Sequence, residues 1–447
     1  MTVLAVLLLI AGIVPAATAV PSPQAHSGFA LPASVELIPV DNTVFSWGRG
    51  GFVGPLQIIS SEDGLGLVET QELDRYLTGL REVPATWPDA ALEAQAVAAR
   101  TFLAWSMERG RTGDASTYGY DICATTACQV YRGSAIAEQE AAAPWVRAVV
   151  ATSGEVLLYQ GSPAHTFYSS SAGRRTRPIQ DVWGGSGTPY LVAVDSPEAG
   201  VTPYPEWVVD ISAEALWRIL DAAGEGVGSR IEEVTTDIPP EGSGLSYVVV
   251  ATDAGARRIA ATRFRSILNR YGPELYPGLL PARRPDGRKW PQTILSYTFE
   301  AHWQPGDDAI DERLARLLPP SDRPRGGRVQ VIGEGWGHGV GMSQWGAKAM
   351  SDAGASYEEI LGHYYGGLQP VAGNLDSTVR IGLAADEATL TIEASGPFEL
   401  RLDGSSIGLV AGGSWTFMKA VSGVAVIAPE NLSRRAGPQL YRREWPR

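Results

Sequence analysis

Hydrophobic positions recur along the chain with two spacings. Over residues 72–80, Leu73, Leu77 and Leu80 fall on one side of a helix. Over residues 88–110, Leu92, Ala96, Ala99 and Leu103 mark a longer helix. Pro88 suits its first turn, Asp89 faces the positive end of its dipole, and Gly110 is a natural stop. Its alanines admit close neighbours, so a central, buried helix is expected. Further helices are predicted at 141–152, from Ser212 and Glu214 to Gly224, and around Phe264, Ile267, Leu268 and Tyr271. Ser343 is placed to cap another, and Ser356 with Glu359 has the spacing of a capping box.

Strand signals lie at Thr43-Val44-Phe45, at 55–59, at 66–68, at 155–159, and at 230–236 and 245–251. From Ser377 onward the period is two: Val379, Ile381 and Leu383, then Leu390, Ile392 and Phe398, with turns at Gly396, Asp403-Gly404 and Gly412-Gly413. The expected fold is α+β. It comprises one large domain over 35–375, most distinctive at about 55–175, and a small all-β module over 376–430.

The 447 residues are 44% hydrophobic and 19% charged, a globular balance. A net charge of −13 argues against nucleic acid, which needs a basic face, and gives no general attraction to anionic wall polymers. Residues 1–19 read as a secretory signal, apolar from Val3 to Val14 with Ala17-Thr18-Ala19 as a cleavage site, although no Lys or Arg precedes the apolar run. That run is too short to span a membrane. An exported, extracellular protein is expected. Residues 20–34 read as a linker, and 431–447, with Arg434, Arg435, Arg442, Arg443 and Arg447, as a solvated basic tail.

In an exported chain the nearby pair Cys123 and Cys128 most often forms a disulfide. Zinc needs about four ligands, and no histidine lies between residues 27 and 164, so no metal or cofactor is expected.

Glu82 is the first candidate for chemistry. Pro84 disfavours helix at Val83, which leaves the carboxylate in a fixed turn between two helices. A plain helix-capping glutamate is the competing reading. Glu93, on the following helix, is a weaker rival. Gly333 to Gly346 reads Gly-Glu-Gly-Trp-Gly-His-Gly-Val-Gly-Met-Ser-Gln-Trp-Gly. It lacks the lysine of a phosphate loop and the strand–helix context of a dinucleotide site. Its glycines suit close approach of backbone to a sugar chain or to another strand. His338 fits a substrate contact or a structural clip, and Gln344 a sugar hydrogen-bonder or a cap partner. Tyr168, Ser169 and Ser170 form a second polar turn, with no nucleophile elbow around Ser170. Arg100 suits pairing with a carboxylate, in a site or in the fold.

These blocks, in this order, resemble the SpoIID/LytB family. The resemblance is carried by 73–84 (Leu-Asp-Arg-Tyr-Leu-Thr-Gly-Leu-Arg-Glu-Val-Pro) and 92–101 (Leu-Glu-Ala-Gln-Ala-Val-Ala-Ala-Arg-Thr). It continues through 123–133, 164–173 and 333–347. Val83 stands where the family has Met, Glu93 where it has Lys, and Ala172 where glycine is common. The resemblance implies an exported peptidoglycan lytic transglycosylase acting on glycan strands, with Glu82 as acid/base. It implies a groove lined by 82–103, 165–173 and 333–346, with Arg100, Tyr168, Ser169, Ser170, His338, Ser343 and Gln344 as substrate contacts. The alternative it carries is a non-catalytic glycan-binding or amidase-enhancing protein, with a cell-wall amidase as partner.

Overall fold

The computed structural model describes residues 31–305, 327–375 and 377–429. The expected signal segment, nearly all of the linker and the basic tail lie outside the described residues. The chain is mixed α and β, as the two spacings predict, but the single large domain is replaced by two compact units. One comprises residues 1–86, 99–155 and 372–447; the other comprises 87–98 and 156–371.

The first unit is built on two antiparallel-rich sheets. Its seven-stranded sheet runs Ser405–Val410, Phe398–Leu402, Ser34–Pro39, Leu56–Ser60, Leu65–Glu72, Thr378–Glu387, Ile122–Cys123. Its five-stranded sheet runs Gly423–Ile427, Gly413–Ala420, Thr389–Ala394, Phe45–Trp47, Gly50–Phe52. Alternate residues of the paired strands face the core: Val35 lies opposite Leu402 and Leu37 opposite Leu400, and all four are buried. Phe45 and Trp415 each meet Phe398 edge-on, with ring centroids 5.4 Å apart in both pairs.

The expected module at 376–430 therefore does not stand apart. Ser34–Pro39 pairs with Phe398–Leu402, and Leu65–Glu72 with Thr378–Glu387. The period-two pattern identified the strands correctly, but periodicity carries no information about which distant strand is the partner.

The second unit has two three-stranded antiparallel sheets, Trp207–Ser212, Arg328–Gly333, Phe299–Gln304 and Ile231–Asp237, Tyr247–Thr252, Gly255–Ala260. Helices Ala213–Ala222 and Ala261–Leu275 pack into one core with them through Leu216, Ile219, Phe264 and Leu268. A second core joins Ala94, Val97 and Ala98 to Val340, Met342, Ile360, Leu361 and Tyr364. The buried alanines of helix Asp89–Arg109 are the close-approach surface that the sequence implied.

Candidate functional site

Helix Leu73–Thr78 ends at Gly79, and the chain continues as an extended segment that pairs with residues 130–132. Arg81 N–H donates to the Val130 carbonyl at 2.9 Å, and Arg132 N–H to that of Gly79 at 3.0 Å. The pairing brings the Val130 N–H onto Glu82 Oε1 at 2.6 Å. Glu82 is half-buried. Two sequence blocks that looked separate, 73–84 and 123–133, thus form one piece of structure, and the second aims the carboxylate of the first. The Cys123–Cys128 disulfide closes the loop that leads into this pairing.

Behind the segment lies a buried polar chain that the sequence reading missed. The Tyr76 and Tyr131 rings lie 4.9 Å apart, and Tyr76 donates to Gln129 Oε1 at 2.8 Å. Tyr131 donates to Glu69 Oε2 at 2.7 Å, and Gly54 N–H to Glu69 Oε1 at 2.9 Å. Burial pushes the Glu69 carboxyl up to about 7, against the pull of these donors. Burial also raises the Tyr76 phenol well above its ordinary value, with the charge of Glu82 adding to the effect. Glu69 is the fifth of five consecutive buried residues that open strand Leu65–Glu72, and nothing in the sequence around it marks it.

Arg100 serves the fold. It is 0% exposed, and its guanidinium is spent on Asp74 Oδ1 at 3.1 Å, the Val149 carbonyl at 3.0 Å, Thr152 and the Glu155 carbonyl. A group with no accessible surface cannot contact a sugar, so the expected substrate role is withdrawn. Glu93 is half-buried on its helix. Among the described residues no cluster of three or more His, Cys, Asp or Glu could hold a metal ion.

The second unit brings together the two polar blocks. Tyr168–Ser169 pairs in parallel with Met342–Ser343, and Ser171 and Trp336 exchange backbone hydrogen bonds. The alternating glycines are what permit this. Gly337 has φ +110°, and a Cβ there would lie 2.7 Å from the Ser169 Cβ. Gly341 has φ +68°, and a Cβ there would lie 2.1 Å from the Phe167 carbonyl oxygen. Of the two roles offered for the glycines, close approach to another strand is therefore filled.

His338 Nδ1 accepts from Val340 N–H at 3.0 Å. The ring also bonds the Tyr168 backbone, so the proton sits on Nε2 and points at that carbonyl. Burial lowers the imidazole to about 4, with Arg265 adding, so it is uncharged at neutral pH. His338 is thus a clip between the glycine loop and the 168 turn. Ser169 Oγ accepts from Gly339 N–H at 3.2 Å, while Tyr168 and Ser170 stay half-buried. Gln344 is buried and donates to Gln95 Oε1 at 3.2 Å.

The centre of this arrangement is Glu198, which no sequence feature marked. It is 0% exposed. Ser171 Oγ and Gly173 N–H donate to its Oε1, and Ser196 Oγ and Ser343 Oγ to its Oε2. Burial raises its carboxyl while these donors oppose the rise. Ser343 Oγ additionally accepts from Ala172 N–H and Gly346 N–H, both at 3.2 Å. One donated and two accepted bonds exhaust a hydroxyl, so Ser343 is a cap and a strut rather than a substrate contact. Three of the four donors to Glu198 come from the distant 171–173 and 343 stretches, which explains why Asp195-Ser196-Pro197-Glu198 alone does not betray it.

Among the expected contacts, Tyr168, Ser169, Ser170, His338, Ser343 and Gln344 share the second unit, and Glu82 and Arg100 belong to the first. Comparison with known proteins follows the same blocks. Residues 61–159 match the family model described as "Stage II sporulation protein". An uncharacterised protein of Brachyspira hyodysenteriae is 27% identical over 325 residues, 72% of each chain. The amidase enhancer of Bacillus subtilis is 30% identical over 302 residues, 64% of this chain but 38% of its own length. The stage II sporulation protein D of Bacillus subtilis is 24% identical over 311 residues, 68% of this chain and 75% of that one. The matched span contains Glu82, the helix that follows it and the Cys123–Gly133 block, and it is to the SpoIID family that these likenesses point.

Proposed function

We propose that this chain acts on the bacterial cell wall as a lytic transglycosylase, cleaving peptidoglycan glycan strands with Glu82 as the acid/base. The observation that carries the reading is the 2.6 Å bond from Val130 N–H to Glu82 Oε1, which fixes one carboxylate in a rigid, half-buried segment. In this chemistry the Glu82 carboxyl gives its proton to the glycosidic oxygen as the bond from that oxygen to C1 of the muramoyl sugar breaks. The leaving sugar departs with a free hydroxyl. The C6 hydroxyl of the muramoyl sugar then bonds to C1 and returns a proton to the carboxylate. The product is a 1,6-anhydro end, no water is consumed, and one carboxyl serves both steps.

Purified protein and Glu82→Gln are incubated with peptide-free glycan strands and the products weighed. Anhydro ends from the wild type, reduced at least 100-fold in the variant, are expected from the usual contribution of a general acid, about 10²–10⁴. Hydrated reducing ends exclude the mechanism, and equal activity in the variant removes Glu82 from the role. A second reading is favoured by the 30% identity to a protein named amidase enhancer. In that reading the chain binds glycan without cutting it and stimulates a cell-wall amidase, and binding with no product identifies it.

A further inference from the structure

The turn that leads into Tyr168 carries a run of rings, of which Trp183 lies outside the motif blocks. His165 and Phe167 have centroids 3.7 Å apart, Phe167 and Trp183 4.6 Å, and Trp183 and His338 5.1 Å. Trp183 is 44% exposed, and His165, Phe167 and His338 are half-buried. Trp183 ends the short helix Ile179–Trp183, and the next residues are Gly184, Gly185, Ser186 and Gly187. A Cβ at Gly185 would meet nothing within 4 Å, whereas Gly184 lies against Leu245 and Gly187 against Gln180.

We infer that His165, Phe167, Trp183 and His338 form a stacking face for a pyranose ring of an amino-sugar strand, with Trp183 as its exposed platform. The C–H face of a pyranose is apolar and slightly positive, and packs on the electron-rich face of an aromatic ring while its hydroxyls stay at the rim. The rim suits hydroxyls: Tyr168 and Ser170 follow in the same turn, half-buried, and the flanking loop is glycine and serine. The histidine that closes the face is neutral at physiological pH.

This inference rests on the glycan reading above and adds to it a binding residue, Trp183, outside the motif blocks. The test uses the full chain in a Glu82→Gln background, so that no cleavage intervenes. Affinity for a β-1,4-linked N-acetylglucosamine oligomer and for peptide-free glycan strands is measured by calorimetry. Trp183→Ala is expected to weaken binding about tenfold, the order of one aromatic stacking contact, and Trp183→Phe to retain most of it. Should Trp183→Ala unfold, the readout is the sugar-induced change in tryptophan emission, expected in the parent and lost in Trp183→Phe. Equal affinity, or an unchanged emission response in Trp183→Phe, overturns this inference and leaves the glycan reading standing. Absence of any glycan binding by the parent overturns both. Displacement of an apolar dye from Trp183 by detergent but not by sugar overturns the assignment of a saccharide.

Discussion

At the residue scale, two buried carboxylates are held without a cation beside them, and one of them makes a measurable claim. Glu69 rises from an ordinary 4.5 to about 7 in the fold because burial penalises its charge. A carboxyl with a raised folded value binds more protons folded than unfolded. It therefore stabilises at low pH, and that contribution is lost as pH climbs from about 4.5 to about 7. The full shift amounts to at most about 3 kcal/mol. Thermal melts of wild type and Glu69→Gln at pH 5 and pH 8 should show a fall with pH in the wild type that is flattened in the variant. Parallel curves would refute the assignment. Glu82 and His338 were legible because each sits in a run of unusual neighbours. Glu69 and Glu198 were not, because most of their donors are distant in sequence, 15 residues for Gly54 and 145 for Ser343, and a buried acid has no local signature.

At the element scale, caps and periodic helices read well from sequence. Ser356 and Glu359 form the capping box that starts Tyr357–Tyr364, and Ser212 caps Ala213–Ala222. Strands Phe299–Gln304 and Arg328–Gly333 were not anticipated; each holds only a few alternating apolar residues, and each finds its partners across a long separation. The cap at Ser343 gives the second prediction. Ser343→Ala removes a donor from buried Glu198 and an acceptor from Ala172 N–H and Gly346 N–H. A loss of about 2–4 kcal/mol is expected. Lowered stability in chemical denaturation supports the strut; unchanged stability with weakened glycan binding would return Ser343 to the substrate. The Cys123–Cys128 clip gives a third. Closing so short a loop stabilises by about 2 kcal/mol, so a reductant should lower the melting temperature of the wild type but not of Cys123→Ser/Cys128→Ser.

At the scale of the whole molecule, the C-terminal strands are the instructive case. Local alternation revealed them, and only the coordinates revealed that Thr378–Glu387 lies between Leu65–Glu72 and Ile122–Cys123. A chain ending at residue 375 is expected to be insoluble or unfolded rather than a trimmed enzyme. A cooperative melt and native-like circular dichroism from that truncation would refute the claim. The same topology bears on the order of events during synthesis. Ser34–Pro39 is made long before one of its two neighbours, Phe398–Leu402. Until that neighbour arrives, one side of the earlier strand stays open to unintended pairing. Such a polypeptide gains from a holding factor that keeps it extended until the later strand is available.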